Sequence, residues 1–272
     1  DFERLVYCSQ LVQADCIRSN VEHMRRARGR CMGSAYWQVN DSNPVISWSS
    51  IDYFGRWKAL HYAARRFYAP VLLSCDDTDS KHPILYVTND TPQNKELSVV
   101  CRLRNNQANI LKAFSASVSV KALSAGKCLA LDLSNDLDTL QDQRTKYIEY
   151  ALIEDGRVIS AGSTLFVRPK AFSFQPAHIQ TKVSDCGNFF SITMQANCFA
   201  KSIFLSLIRQ LLLLVPLIYL LPPVLGVQGV WYSFPIADAV SFVITGIMIA
   251  DLMRKFGKLQ DGEAPTILGS AI

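Results

Sequence analysis

Apolar residues recur at helical spacing through the start of the chain: Leu5, Cys8, Leu11, Val12, Ile17, Val21 and Met24. No proline interrupts them and Gly29 stands where a helix would stop, so the pattern predicts a helix over residues 1–29. Residues 31–39 are then mostly small or apolar with almost no charge, the texture of a strand buried on both faces of a parallel sheet. A loop follows, Asn40-Asp41-Ser42-Asn43-Pro44 and then Trp48, Asp52, Tyr53 and Trp57, and the spacing predicts a second helix over about 57–67. Helix, strand, helix is a piece of an α/β architecture. The loop's mixture of aromatic rings with amides and carboxylates suits a carbohydrate, and core aromatics under a loop are the plainer reading.

From residue 70 to about 204 the pattern changes to short alternating runs. Strands are predicted at 71–74, 83–88, 97–103, 114–120, 127–133, 146–154 and 158–167, with Asn89-Asp90, Asn105-Asn106 and Asp155-Gly156 as turns between them. Seven short strands with this alternation predict an Ig-like β-sandwich over 70–172. A second set at 177–183, 189–195 and 199–204 predicts the incomplete start of another sandwich over 173–204.

After residue 204 the alternation stops. No charged residue occurs from 211 to 237, and Asp238 is the sole charge before Asp251. Two apolar spans, about 205–227 and 230–250, are each long enough to cross a bilayer, with Gly226-Val227-Gln228-Gly229 as the turn. Lys201 and Arg209 flank one end and Arg254, Lys255 and Lys258 the other, so the positive-inside rule places both ends in the cytoplasm. The expectation is a transmembrane helical hairpin over 205–256, a membrane partner, and a polar tail over 257–272. Asp238 inside such a span is a candidate intramembrane polar site, with an interfacial structural role as the even alternative.

Composition changes this picture little. The net charge is +5 and the basic residues are scattered except for the run from Arg25 to Arg30. That run is expected to be the solvated end of the first helix, where cations suit the dipole, and no nucleic-acid partner is expected. Eight cysteines form no CxxC pair and have no histidine at zinc-ligand spacing, so they read as buried thiols of a reducing compartment with no metal. No signal peptide opens the chain, and its first residue, Asp1, reads as that of a fragment or a trimmed product.

Two stretches carry a family resemblance. Tyr36-Trp37-Gln38-Val39-Asn40-Asp41, followed by Ser47-Trp48-Ser49-Ser50-Ile51-Asp52-Tyr53-Phe54-Gly55-Arg56-Trp57-Lys58-Ala59-Leu60-His61-Tyr62, resembles the last barrel strand and helix of β-mannosidases in glycoside hydrolase family 2. The resemblance implies that residues 1–69 are the C-terminal fragment of a (β/α)8 barrel, followed by that family's sandwich domains. It also implies retaining hydrolysis of terminal β-mannosides with no cofactor. Separately, Ser206-Leu207-Ile208-Arg209-Gln210, Leu221-Pro222, Gly226-Val227-Gln228-Gly229-Val230-Trp231 and Phe234-Pro235-Ile236-Ala237-Asp238 resemble the final two helices of multidrug and toxin extrusion transporters, over roughly 203–260.

A barrel needs eight strands and about 250 residues, and the chain supplies one. A retaining glycosidase needs two carboxyl groups roughly 5 Å apart. In the resembling family these are glutamates on earlier strands, upstream of Asp1, so no catalytic residue is assigned here and inactivity alone is expected. Glu3, Glu22, Glu96, Glu149 and Glu154 match no catalytic position, and Asp41 and Asp52 read as braces of the loop. The family resemblance makes Trp37 the first substrate-binding candidate, with Asn40 and Asp41 second. The family usually has a Trp before Pro44, where this chain has Asn43. His61 and His23 read as packing residues, and His82 and His178 as sandwich residues with no partner in view. Partners implied are a β-mannoside or oligosaccharide and a complementing N-terminal barrel segment. A transporter remnant anchoring a cytoplasmic domain, or a fusion with neither activity complete, are the alternatives.

Overall fold

The computed structural model describes residues 2–186 and 190–203. The chain divides into two compact units after Ser202, and residues up to Ser202 pack as one unit. The expectations for a hairpin over 205–256, for a site at Asp238, for a tail over 257–272 and for transporter-like helices lie outside the described residues. Among the described residues no helix is long and apolar enough to cross a membrane.

Helix α1 spans Phe2–Arg26 and helix α2 spans Ala59–Phe67, close to both sequence expectations. Ala14 and Val21 of α1 close on Leu60, Ala64 and Phe67 of α2, with Ile17 and Tyr36 packed around them. Leu60 and Phe67 are fully buried, each stabilising the pair by about 1.5–3 kcal/mol. Residues 31–39 correct the expectation of a buried barrel strand. They form no strand, and Met32, Trp37 and Val39 are exposed. A parallel strand exists only as part of a ladder. Among the described residues the pairings here are single bridges of Asn40 with Ile51 and of Ile51 with Trp57.

The sandwich forms as the alternation predicts. Strands β1 (Val71–Asp76), β2 (Ile84–Asn89) and β5 (Ser124–Ala130) make one sheet in the order β1-β2-β5. Strands β3 (Lys95–Asn105), β4 (Ile110–Val120), β6 (Lys146–Glu154) and β7 (Arg157–Leu165) make the other, in the order β4-β3-β6-β7. All pairings are antiparallel. Inward residues Leu73, Leu85, Val87, Val99, Leu103, Ile148 and Leu152 fill the space between the sheets. The β6–β7 hairpin closes at Asp155-Gly156, both with positive φ, as an Asp-Gly turn requires. Helix α3 (Leu140–Thr145) was not anticipated. Thr139 and Asp142 form a reciprocal capping box at its start, a Thr-x-x-Asp signal present in the sequence.

Strands β8 (Ile179–Asp185) and β9 (Phe190–Ala196) pair only with each other among the described residues. Among the described residues the third strand expected over 199–204 does not form. Phe199 instead stacks on Tyr147 at 3.7 Å between ring centres, with Phe172 edge-on, so its ring serves the sandwich end.

The basic run is also corrected. Arg25, with its side chain 9% exposed, donates to the carbonyls of Phe67 and Ala69 and to Asp90 Oδ2 at 2.7 Å. Arg28 reaches the other Asp90 oxygen, and Arg26 bonds the Cys75 carbonyl at 3.1 Å. A helix end that meets a sheet edge finds carboxylate and carbonyl acceptors closer than water. The cysteines divide too: Cys75, Cys101 and Cys198 are buried, whereas Cys8, Cys16 and Cys186 are exposed.

Candidate functional site

The site candidates lie on the segment between Tyr36 and His61, held from below by α1. Gln13 Nε2 donates to the Trp48 carbonyl at 2.7 Å, and Gln10 Oε1 accepts from the Ala59 amide at 3.2 Å. Two buried polar knots give the loop its shape.

The first knot is centred on Asp41. Its oxygens accept from Ser47 Oγ at 2.5 Å and Ser49 Oγ at 2.6 Å, and Lys58 Nζ lies 3.2 Å away. Lys58 also donates to Ser49 Oγ at 2.8 Å. Hydrogen bonds from Ser47 and Ser49, with Lys58 beside them, hold the Asp41 carboxyl below the usual carboxylate range. The second knot is Ser50, fully buried, whose hydroxyl meets Tyr36 Oη at 2.9 Å, the Val39 carbonyl at 2.9 Å and His61 Nδ1 at 3.0 Å. A hydroxyl has one donor and two acceptor positions, so these three contacts saturate it. With its proton on the Val39 carbonyl, Ser50 accepts from Tyr36 and from the protonated Nδ1 of His61. Burial pushes the His61 imidazole down from its ordinary value. Its ring rests edge-on against Trp57 at 4.4 Å.

Trp37 stands between these anchors with its side chain 73% exposed, and its peptide bond to Gln38 is cis. The Ser50 amide holds the Gln38 and Val39 carbonyls, and the Ile51 amide holds Val39 at 2.7 Å. Trp37 is thus an exposed indole on a pinned backbone. Asn40 is exposed beside it, its amide spanning 3.4 Å to the Asp41 carbonyl. Asp41 is adjacent in sequence but turns its carboxylate into the loop. Asp52 accepts from the Phe54 and Arg56 amides and pairs with Arg56 Nε at 2.6 Å, so both aspartates brace the loop. Trp48, Tyr53, Phe54 and Trp57 are exposed around it, which extends the aromatic surface beyond Trp37. Ser47, Ser49, Ser50 and Lys58 were not singled out as site residues. The signal was a serine cluster within nine residues of an aspartate.

His82 corrects the expectation that it lacks a partner. Its Nδ1 lies 2.8 Å from Asp79 and its Nε2 lies 3.1 Å from Ser134 Oγ, tying the β1–β2 loop to the loop after β5. Ser134 Oγ and its amide are meanwhile bound to Asp132, so the arrangement is a loop tie. Among the described residues no group of three or more His, Cys, Asp and Glu side chains is placed to hold a metal.

Residues 84–171 match the family model of the mannosidase Ig/CBM-like domain, which runs from β2 through β7 to the turn after it. The sandwich is therefore an Ig-like domain of the β-mannosidase type. The goat (Capra hircus) β-mannosidase is 28% identical over 219 residues, 75% of this chain and 25% of that protein. β-Mannosidase A of Aspergillus terreus is 40% identical over 94 residues, 33% of this chain and 10% of that protein. Among solved structures, the β-D-mannosidase of Dictyoglomus thermophilum superposes with a TM-score of 0.66 at 18% identity, over 73% of this chain and 24% of that one. The exo-chitosanase of Amycolatopsis orientalis gives 0.53 at 16% identity, over 69% and 25%. These two superpositions show the fold alone. The chain spans about a quarter of the length of the mammalian relatives it matches, and its similarity is to β-mannosidase-like glycoside hydrolases.

Proposed function

We propose that this chain is the C-terminal part of a β-mannosidase-type glycoside hydrolase of family 2, joining the end of the catalytic barrel to its supporting sandwich. The observation that carries this reading is the 219-residue similarity to the goat enzyme, which is longer than the sandwich alone. In this reading Trp37 offers its indole face to the apolar C–H face of a mannoside, and Asn40 offers an amide to a hydroxyl. Asp41 sets the loop and is the next polar group in line. The nucleophile and the acid–base carboxyl, roughly 5 Å apart in a retaining enzyme, come from a complementing barrel segment. Neither Asp41 nor Asp52 is free to take either role, since serines, Lys58 and Arg56 already occupy them.

The test is co-expression with the N-terminal three quarters of the goat β-mannosidase, assayed on a chromogenic β-mannoside. The chain alone is expected to release no chromophore, and the assembled pair to release it. Trp37→Ala in the pair is expected to lower kcat/KM on the order of 10- to 100-fold. Hydrolysis by the purified chain alone would mean that it carries its own carboxyl pair. An active pair indifferent to Trp37→Ala would remove Trp37 from the substrate site.

A further inference from the structure

Between α1 and the sandwich lies a polar seam that no catalytic role uses. Glu22 of α1 is 7% exposed. The hydrogen bonds its carboxylate receives are two long ones from Arg18 Nη1, at 3.3 and 3.4 Å. Arg18 is itself shared with Asp15 at 3.5 Å. Beneath the helix, Ser74 on β1 is fully buried and its hydroxyl has no hydrogen-bond partner. Tyr150 on β6 is buried too, and among the described residues its hydroxyl bonds only Thr164, at 3.5 Å. The carboxylate is thus desolvated while most of its acceptor capacity stays empty, a condition in which charge is expensive and a proton is favoured.

We infer that the α1–sandwich seam is a proton-linked contact, in which Glu22 takes up a proton as α1 seats on the sandwich. The groups whose charge reaches Glu22 are Arg18, Arg25 and Arg26 on α1 and Asp77 after β1, and the Glu22 charge in turn reaches Tyr150 on β6. His23, next to Glu22 on α1, acts with Arg26 on Asp76. Burial pushes the Glu22 carboxyl up, against the pull of Arg18 and Arg26. A carboxyl raised in the folded state contributes stability in full below its unfolded pKa, and that contribution is lost as pH rises through the folded value. The contact is therefore tighter in mild acid than at neutral pH. This is the reverse of what Asp41, Asp76 and Asp132 contribute, since hydrogen bonds hold all three below the usual range.

Because those groups superpose on the same melting curve, the informative quantity is the difference between Glu22→Gln and the parent chain. Thermal unfolding of the whole chain is followed from pH 4.5 to 8, with hydrogen exchange of α1 amides read alongside. Glu22→Gln keeps the shape and removes the charge. Its melting temperature is expected to match the parent near pH 4.5 and to exceed it by on the order of 2–4 °C at pH 7.5. Exchange in α1 is expected to slow by a matching factor at pH 7.5 while sandwich strands stay unchanged. A variant that melts below the parent by a constant amount at every pH would show that the Arg18 pair outweighs desolvation and would overturn the inference. A pH-dependent gain confined to sandwich amides would overturn it as well, since the linkage would then lie elsewhere. Arg18→Gln, which deepens the uncompensated charge, is expected to steepen the loss as pH rises. Its melting curve provides the second reading should Glu22→Gln fail to fold.

Discussion

Tyr150 lies directly over Gly162, its register partner across the β6–β7 ladder: a Cβ built on Gly162 would meet the tyrosine ring at 2.6 Å. The ring fills the place of the missing side chain, and the phenol is buried there. Gly162 is there for close approach, since its φ is not in the left-handed region.

Gly162→Ala is accordingly expected to destabilise the sandwich by about 1–3 kcal/mol, the range of overpacking a close-packed core. Urea unfolding checks it. The pair Gly162→Ala with Tyr150→Leu, which frees the ring atoms nearest the new methyl, is expected to lose less than the sum of its single changes.

Arg25 joins three elements through one guanidinium: the carbonyls at the end of α2 and the carboxylate of Asp90 after β2. Removing it takes the donor from the part-buried Phe67 and Ala69 carbonyls, and Arg25→Ala is expected to cost about 1–3 kcal/mol. Arg25→Lys is expected to recover less than half of that, because a single ammonium lacks the planar fork that reaches all three. Differential melting of the two variants decides between a charge effect and a geometric one.

Ser50→Ala strips the hub between Tyr36, Val39 and His61. Leaving the Tyr36 hydroxyl and His61 Nδ1 without that partner is expected to cost about 1–3 kcal/mol and to loosen the backbone that holds Trp37. Three of the four tryptophans are in this loop, so a fall in indole anisotropy with sandwich strand exchange unchanged is the expected signature.

Asp41 gives the loop a pH response of its own. Its ionised form is favoured by Ser47, Ser49 and Lys58, so the loop's contribution is complete above about pH 4 and is lost as pH falls below that. Tryptophan emission is expected to shift as pH falls below about 4, and Asp41→Asn at pH 6 is expected to resemble the parent in acid.

Local pattern carried much of this fold. The period-two runs placed all seven sandwich strands, because a sheet with one wet face writes its register into every second residue. The heptad-like spacing of Leu11, Ile17, Val21 and Met24 placed α1, and Asp155-Gly156 placed the hairpin that its positive φ values confirm. The aromatic loop stood out by composition, with Trp37 exposed on it. Its internal ties were hidden: nothing in the order Asp41, Ser47, Ser49, Lys58 says that three side chains, the last seventeen residues on, converge on the Asp41 carboxylate.

What the sequence determined by itself is therefore whatever depends on neighbours in the chain: periodicity, turn chemistry, the cap of α3, the absence of charge over 211–237. The tertiary structure alone decided whatever depends on desolvation and on partners distant in the chain. It turned the basic run at Arg25–Arg28 from a solvated helix end into a clamp on Asp90, and it buried Glu22 of α1 with only Arg18 hydrogen-bonded to it. It also left residues 31–39 without a ladder, although their composition suits a buried strand. The reason is the same in each case: a charge or a backbone amide is satisfied by whichever group the fold brings within about 3 Å, and that distance is not written in the order of the residues.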